Sequence, residues 1–92
     1  MSIRDHALKA FAEEGLVPHE WTNAPGHVNE AHDHPYEKTI WCVEGGIEFR
    51  LPGENRVVEL VPGRRLVIPP HTAHSAFVGP LGVTCVEGHR FQ

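Results

Sequence analysis

The sequence predicts one all-β domain, a closed or two-sheet antiparallel barrel, entered through a single short N-terminal helix. Three observations carry this expectation. Eight short extended runs follow one another between residues 17 and 87, each bounded by Gly, Pro or Asn. Nine glycines and eight prolines in 92 residues supply the tight turns that such a chain requires. Apolar residues at helical spacing occur only within residues 1–15, so the domain divides into a helix over 1–15 and a barrel over 16–92.

Ser2 caps the helix, and Asp5 at the third helical position completes a capping box. Ile3, Leu8, Phe11 and Ala12 form one apolar stripe, Gly15 is a left-handed stop, and Leu16 packs back on Phe11. Val17–Thr22 reads as a strand that ends at the turn cluster Asn23-Ala24-Pro25-Gly26. His27–His34 follows as a polar strand, which is unusual unless one face lines a site. Lys38–Glu44 is the most apolar strand and closes at a tight turn, Gly45-Gly46. In the next run Ile47, Phe49 and Leu51 alternate with Glu48 and Arg50. Pro52-Gly53-Glu54-Asn55 is a hairpin tip. Val57–Val61 and Arg65–Ile68 are joined across Pro62-Gly63, and Ala73–Val78 and Val83–Glu87 flank Gly79-Pro80-Leu81-Gly82.

Composition narrows the function. A net charge of −4 and the lack of any Lys/Arg-rich run argue against nucleic acid. No apolar run is long enough to span a bilayer, and Asp5, His6 and Lys9 interrupt any signal-peptide core, so a cytoplasmic protein is expected. Cys42 and Cys85 lie in strand-like apolar runs and read as buried, reduced thiols.

Eight histidines are the chemical signal. His6, His19 and His89 read as surface or hydrogen-bonded residues. His32 and His34, two apart on an extended segment, share a face. If the chain folds back so that His74 meets them, three neutral nitrogen donors form a facial set suited to a first-row transition metal. His27 and His71 read as loop residues near the mouth, with His71 a candidate acid/base group.

The spacing of these residues resembles the two motifs of the cupin superfamily. The first runs glycine, five residues, His-x-His, three or four residues, glutamate, six residues, glycine; Gly26, His32, His34 and Gly45 fall at those places. The second runs glycine, five residues, Pro-x-Gly, two residues, histidine; Gly63, Pro69 and His74 match, with His71 where the family usually has glycine. The resemblance covers roughly residues 26–78. It implies a small single-domain, cupin-type antiparallel β-barrel (jelly roll) with a metal held by His32, His34 and His74.

One departure matters. The position of the family's glutamate holds Lys38, and Glu37, the possible fourth ligand, comes one place early and points away on a regular strand. A bulge near Pro35-Tyr36 would re-aim it. An ammonium beside a dication is repelled, so Lys38 must turn away, lose its proton or be neutralised by a bound anion. A substrate carboxylate bridging metal and Lys38 would make Lys38 a catalytic candidate; the alternative is that Lys38 snorkels to the barrel mouth and makes a surface ion pair. Cys42 shares the inward parity of Lys38 and Ile40, whereas Trp41 and Val43 face outward and, with Trp21, need a cover. The helix supplies part of it and a second subunit the rest, giving a homodimer.

The expected function is a small metalloenzyme, dioxygenase-like or isomerase-like, acting on a small organic acid or related oxygenated molecule. The divalent metal is iron, manganese, nickel, copper or zinc. The alternatives are a non-catalytic small-molecule or metal-binding sensor module and a metal-free, sugar-related cupin.

Overall fold

The computed structural model describes residues 1–91. Helix α1 spans Ile3–Glu13 and has the expected capping box between Ser2 and Asp5. Its C-terminus is a full Schellman arrangement: Gly15 stands at φ 71°, its N–H donates to the Ala12 carbonyl, and the Leu16 N–H donates to the Phe11 carbonyl at 2.8 Å. Leu16 and Phe11 are both buried in the same cluster, which completes the cap with an apolar contact.

Six strands follow: β1 (His19–Asn23), β2 (Val28–His32), β3 (Glu37–Leu51), β4 (Arg56–Leu60), β5 (Arg65–Ile68) and β6 (His74–Arg90). β3 and β6 are each a single long strand where the sequence suggested two short ones. They pair antiparallel from Glu37↔Arg90 to Arg50↔Ser75. The remaining strands pair with one half of this ribbon or the other. β1 takes the C-terminal half of β6 and β5 the N-terminal half of β3, while β2 takes the N-terminal half of β6 and β4 the C-terminal half of β3. The result is a jelly-roll-like β-sandwich rather than a closed barrel.

The expected turn at Gly45-Gly46 is instead a bend within β3. The β3–β6 register slips between Cys42 and Glu44 and again between Gly45 and Ile47, as β-bulges do. Gly45 stands at φ 76°, and a Cβ there would lie 2.0 Å from the Gly82 carbonyl oxygen of β6. Close backbone approach and a left-handed conformation therefore both require glycine here. The chain turns from one sheet into the other at this point without reversing.

Both halves of the ribbon feed one core. Ile40, Cys42, Leu66, Ile68 and Cys85 meet Ile47, Phe49, Leu51, Leu60 and Val78, all buried. Cys42 and Cys85 are free buried thiols in register across the ribbon. A second cluster lies outside the first sheet, where α1 covers Val86, Trp41 and Val43 with Phe11 and Leu8. Phe11 meets Trp41 edge to face at 6.3 Å, Arg65 lies 5.5 Å from the centre of the Trp41 ring, and its guanidinium bonds both Glu14 oxygens at 2.7 and 2.8 Å. The chain's own helix thus covers the Trp41 face that sequence reasoning assigned partly to a second subunit. Trp21 departs from expectation too: it packs against the main core and lines the interior. No described helix is long and apolar enough to cross a membrane.

The bend gives a direct test. Gly45→Ala is expected to lower unfolding stability by about 3 kcal/mol or more, through the combined clash and backbone strain. Urea titration of both proteins measures it, and an unchanged midpoint would contradict this account of the bend.

Candidate metal centre

The open end of the sandwich brings His32, His34 and His74 together. One ring nitrogen from each lies within 4.8 Å of the others. Ring centroids are 4.7 Å apart for His32–His34, 4.5 Å for His32–His74 and 5.5 Å for His34–His74. β2 ends at His32, which pairs with His74 on β6, so sheet register brings these two together. His34 lies beyond the end of β2, just before the chain bend at Pro35-Tyr36, so strand pairing does not place it. The His71 N–H donates to the His34 carbonyl at 2.7 Å and ties that bend to the loop before β6.

Backbone carbonyls choose the tautomers. His32 Nδ1 lies 2.6 Å from the Glu30 carbonyl oxygen and His74 Nδ1 lies 2.9 Å from that of Thr72. A carbonyl only accepts, so each Nδ1 carries the proton and each Nε2 keeps its lone pair. The Nε2 atoms of His34 and His74 are buried and have no hydrogen-bond partner. Buried polar atoms are rarely left so. Burial holds the His34 ring below the ordinary histidine range, with Lys38 and the other two histidines adding to the effect. Burial does the same for His74; its bond to Thr72 opposes this, while His32 and Lys38 reinforce it. Three imidazole donors drawn to one space fit a divalent transition metal, and three ligands leave further positions open.

That cavity, about 250 Å³, is lined by Trp21, Asn29, His32, Lys38, Phe49 and Glu87 among others. Lys38 faces into it, 13% exposed, with its Nζ 3.6 Å from Glu87 Oε2. The sequence suggests a bound anion or a surface ion pair at the mouth for Lys38; its partner is a largely buried carboxylate on a neighbouring strand. Glu87 also accepts a hydrogen bond from Trp21 Nε1 at 3.0 Å and lies 2.5 Å from His89 Nε2. Its parity with Cys85 on β6 was the available signal, but the sequence does not show which residues β6 faces. Tyr36 stacks on both His34 and His89, with centroids 4.9 and 4.2 Å away, and burial raises its hydroxyl above the usual range.

The other sequence candidates lie elsewhere. Glu37 pairs with Arg90 at 3.5 Å and is not among the three clustered residues. The His71 side chain is exposed, and its φ of 58° accounts for the glycine usual at that place. His27 is exposed in a turn, its N–H bonded to the Ala24 carbonyl.

A jelly-roll sandwich with a histidine-lined cavity at one end defines a class of small-molecule-binding domains. The Cupin domain family matches residues 19–86, and the chain belongs to it. No curated protein matches the chain. Among solved structures it is similar to an RmlC-like cupin from Shewanella frigidimarina, with 22% identity and a TM-score of 0.70, over 80% of this chain and 64% of that one. It is similar also to the DMSP lyase DddQ from Ruegeria pomeroyi (21% identity, TM-score 0.74), over 82% of this chain and 38% of that one. The polyketide cyclase RemF from Streptomyces resistomycificus is 26% identical with a TM-score of 0.70, over 80% of this chain and 54% of that one. This chain therefore spans less than two thirds of the length of each of these three proteins.

The neutral histidines predict a pH effect with a definite sign. Unfolded His34 and His74 take up protons near pH 6.5, whereas in the folded protein they do so only at lower pH. The unfolded state then binds more protons, so metal-free protein should lose stability as pH falls below about 6.5, and His74→Gln should flatten that loss. Urea midpoints between pH 7.5 and 5.5 measure it; a midpoint that rises toward acid would contradict the assignment.

Proposed function

We propose that this cupin is a metalloenzyme that binds a divalent transition metal (iron, manganese, nickel, copper or zinc) through His32, His34 and His74 and acts on a small, anionic, oxygen-containing organic molecule. The observation that carries the proposal is that two of the three clustered histidines, His34 and His74, have buried Nε2 atoms without a hydrogen-bond partner. The metal would polarise a substrate oxygen.

The chain's own residues support the rest. The Lys38 ammonium makes no hydrogen bond among the described residues, so its donors are available to a substrate carboxylate while Glu87 balances its charge. Ile40, Phe49 and Ala76 give the cavity an apolar wall, and Asn29 beside Asn23 offers amide groups at its rim. A cavity of about 250 Å³ suits a small acid better than an oligosaccharide. The half-buried Tyr36, stacked on His34, covers one side of the site. An isomerase-like reaction is favoured over a dioxygenase-like one, because a neutralised ammonium beside the metal suits charge stabilisation and proton movement.

We also infer a homodimer, formed through the outer face of the second sheet. Val28, Phe77 and Leu81 are exposed there around an open cleft, beside Glu48, Arg50 and Glu59. Side chains of both signs let this face meet a copy of itself about a twofold axis.

Two measurements test these readings. Elemental analysis and calorimetric titration should find about one metal per chain in the native protein, with affinity reduced by at least a hundredfold in His74→Ala. Equal, weak binding by both proteins would end the metal reading. Light scattering should give twice the 10.3 kDa chain mass, falling to that mass for Phe77→Glu; a native monomer at millimolar concentration would refute the dimer.

A further inference from the structure

We infer that Glu87 is a positioning residue for the metal centre: it touches no metal ligand, yet it allows a dication to bind beside Lys38. This rests on the metal reading proposed above. Lys38 lines the same cavity as His32 and His74, so its charge lies close to any ion the histidines hold. Left alone, that charge would oppose the ion, because in a partly buried site the repulsion is poorly screened. Among the described residues Glu87 is the one carboxylate within ion-pair reach of Lys38, at 3.6 Å, and both side chains are 13% exposed. Glu37, next to Lys38 in sequence, is engaged with Arg90 instead.

The Glu87 carboxylate is fixed from three strands. Trp21 of β1 donates to Oε1, Lys38 of β3 faces Oε2, and His89 of β6 contacts Oε2. A carboxylate held this way cannot swing to solvent when a cation enters. Nor is it spent as a ligand, since the clustered donors are the three histidines. The opposite charges of Lys38 and Glu87 cancel, so an incoming dication does not meet an unbalanced ammonium. With Glu87 made neutral it would meet one net positive charge.

The isosteric change Glu87→Gln removes the charge and keeps an oxygen for the Trp21 N–H. Titration of Ni²⁺ by calorimetry into native protein, Glu87→Gln, Lys38→Met, Lys38→Met/Glu87→Gln and His74→Ala decides the matter. Glu87→Gln should bind Ni²⁺ about tenfold more weakly, and the double variant should return to within about twofold of native affinity. That rescue separates an effect of charge from one of structure. Unchanged affinity in Glu87→Gln, or a loss that Lys38→Met does not repair, would overturn the inference while leaving the histidine site standing. Native protein and His74→Ala binding Ni²⁺ alike would remove the metal reading and this inference with it.

Discussion

Because β3 and β6 run antiparallel for nearly their full length, one ribbon serves both sheets of this molecule. Its halves part at the Gly45 bulge, where only glycine allows the β3 backbone so near Gly82. Below the bend the ribbon carries Lys38 and Glu87; beyond it, His74 begins β6 and pairs with His32 of β2. The core and the candidate site therefore depend on the same register. A slip of one residue would turn Ile40, Cys42 and Cys85 outward and separate Lys38 from Glu87.

The site has a simple electrostatic logic. Backbone carbonyls of Glu30 and Thr72 orient two imidazoles so that their free lone pairs face inward. Burial keeps His34 and His74 neutral, which is the state that binds a metal. An ammonium among such donors would be a liability without a counter-charge, and Glu87 supplies one from the adjacent strand. Trp21 and His89 then hold that carboxylate in place. On the metal reading proposed above, balanced charge before a cation arrives, rather than a fourth anionic ligand, would distinguish this arrangement.

Local features were legible in the sequence. The capping box at Ser2 and Asp5 and the Gly15 stop depend on neighbouring residues, and the helix forms as they dictate. The spacing of Gly26, His32, His34, Gly63 and His74 pointed to the family and the fold. What failed was long-range. Gly45-Gly46 reads as a turn unless Gly82 is known to lie against it, so two continuous strands looked like four. Trp21 reads as outward because nothing in its own segment reveals the core beside β1. Glu87 passed unnoticed for the same reason, since its partners lie 66 residues away at Trp21 and across the sheet at Lys38. Glu37, a possible fourth ligand only if a bulge re-aims it, lies beside Arg90, and the chain reaches Lys38 through a bend after β2 rather than by unbroken alternation.

The central claim is that three imidazoles hold one metal ion. X-ray absorption of the protein loaded with one equivalent of Co²⁺ tests it most directly. The account predicts a first shell containing three imidazole nitrogens at about 2.1 Å, with the outer-shell scattering typical of histidine rings. A shell of oxygen atoms alone, or one identical in the His74→Ala variant, would contradict it.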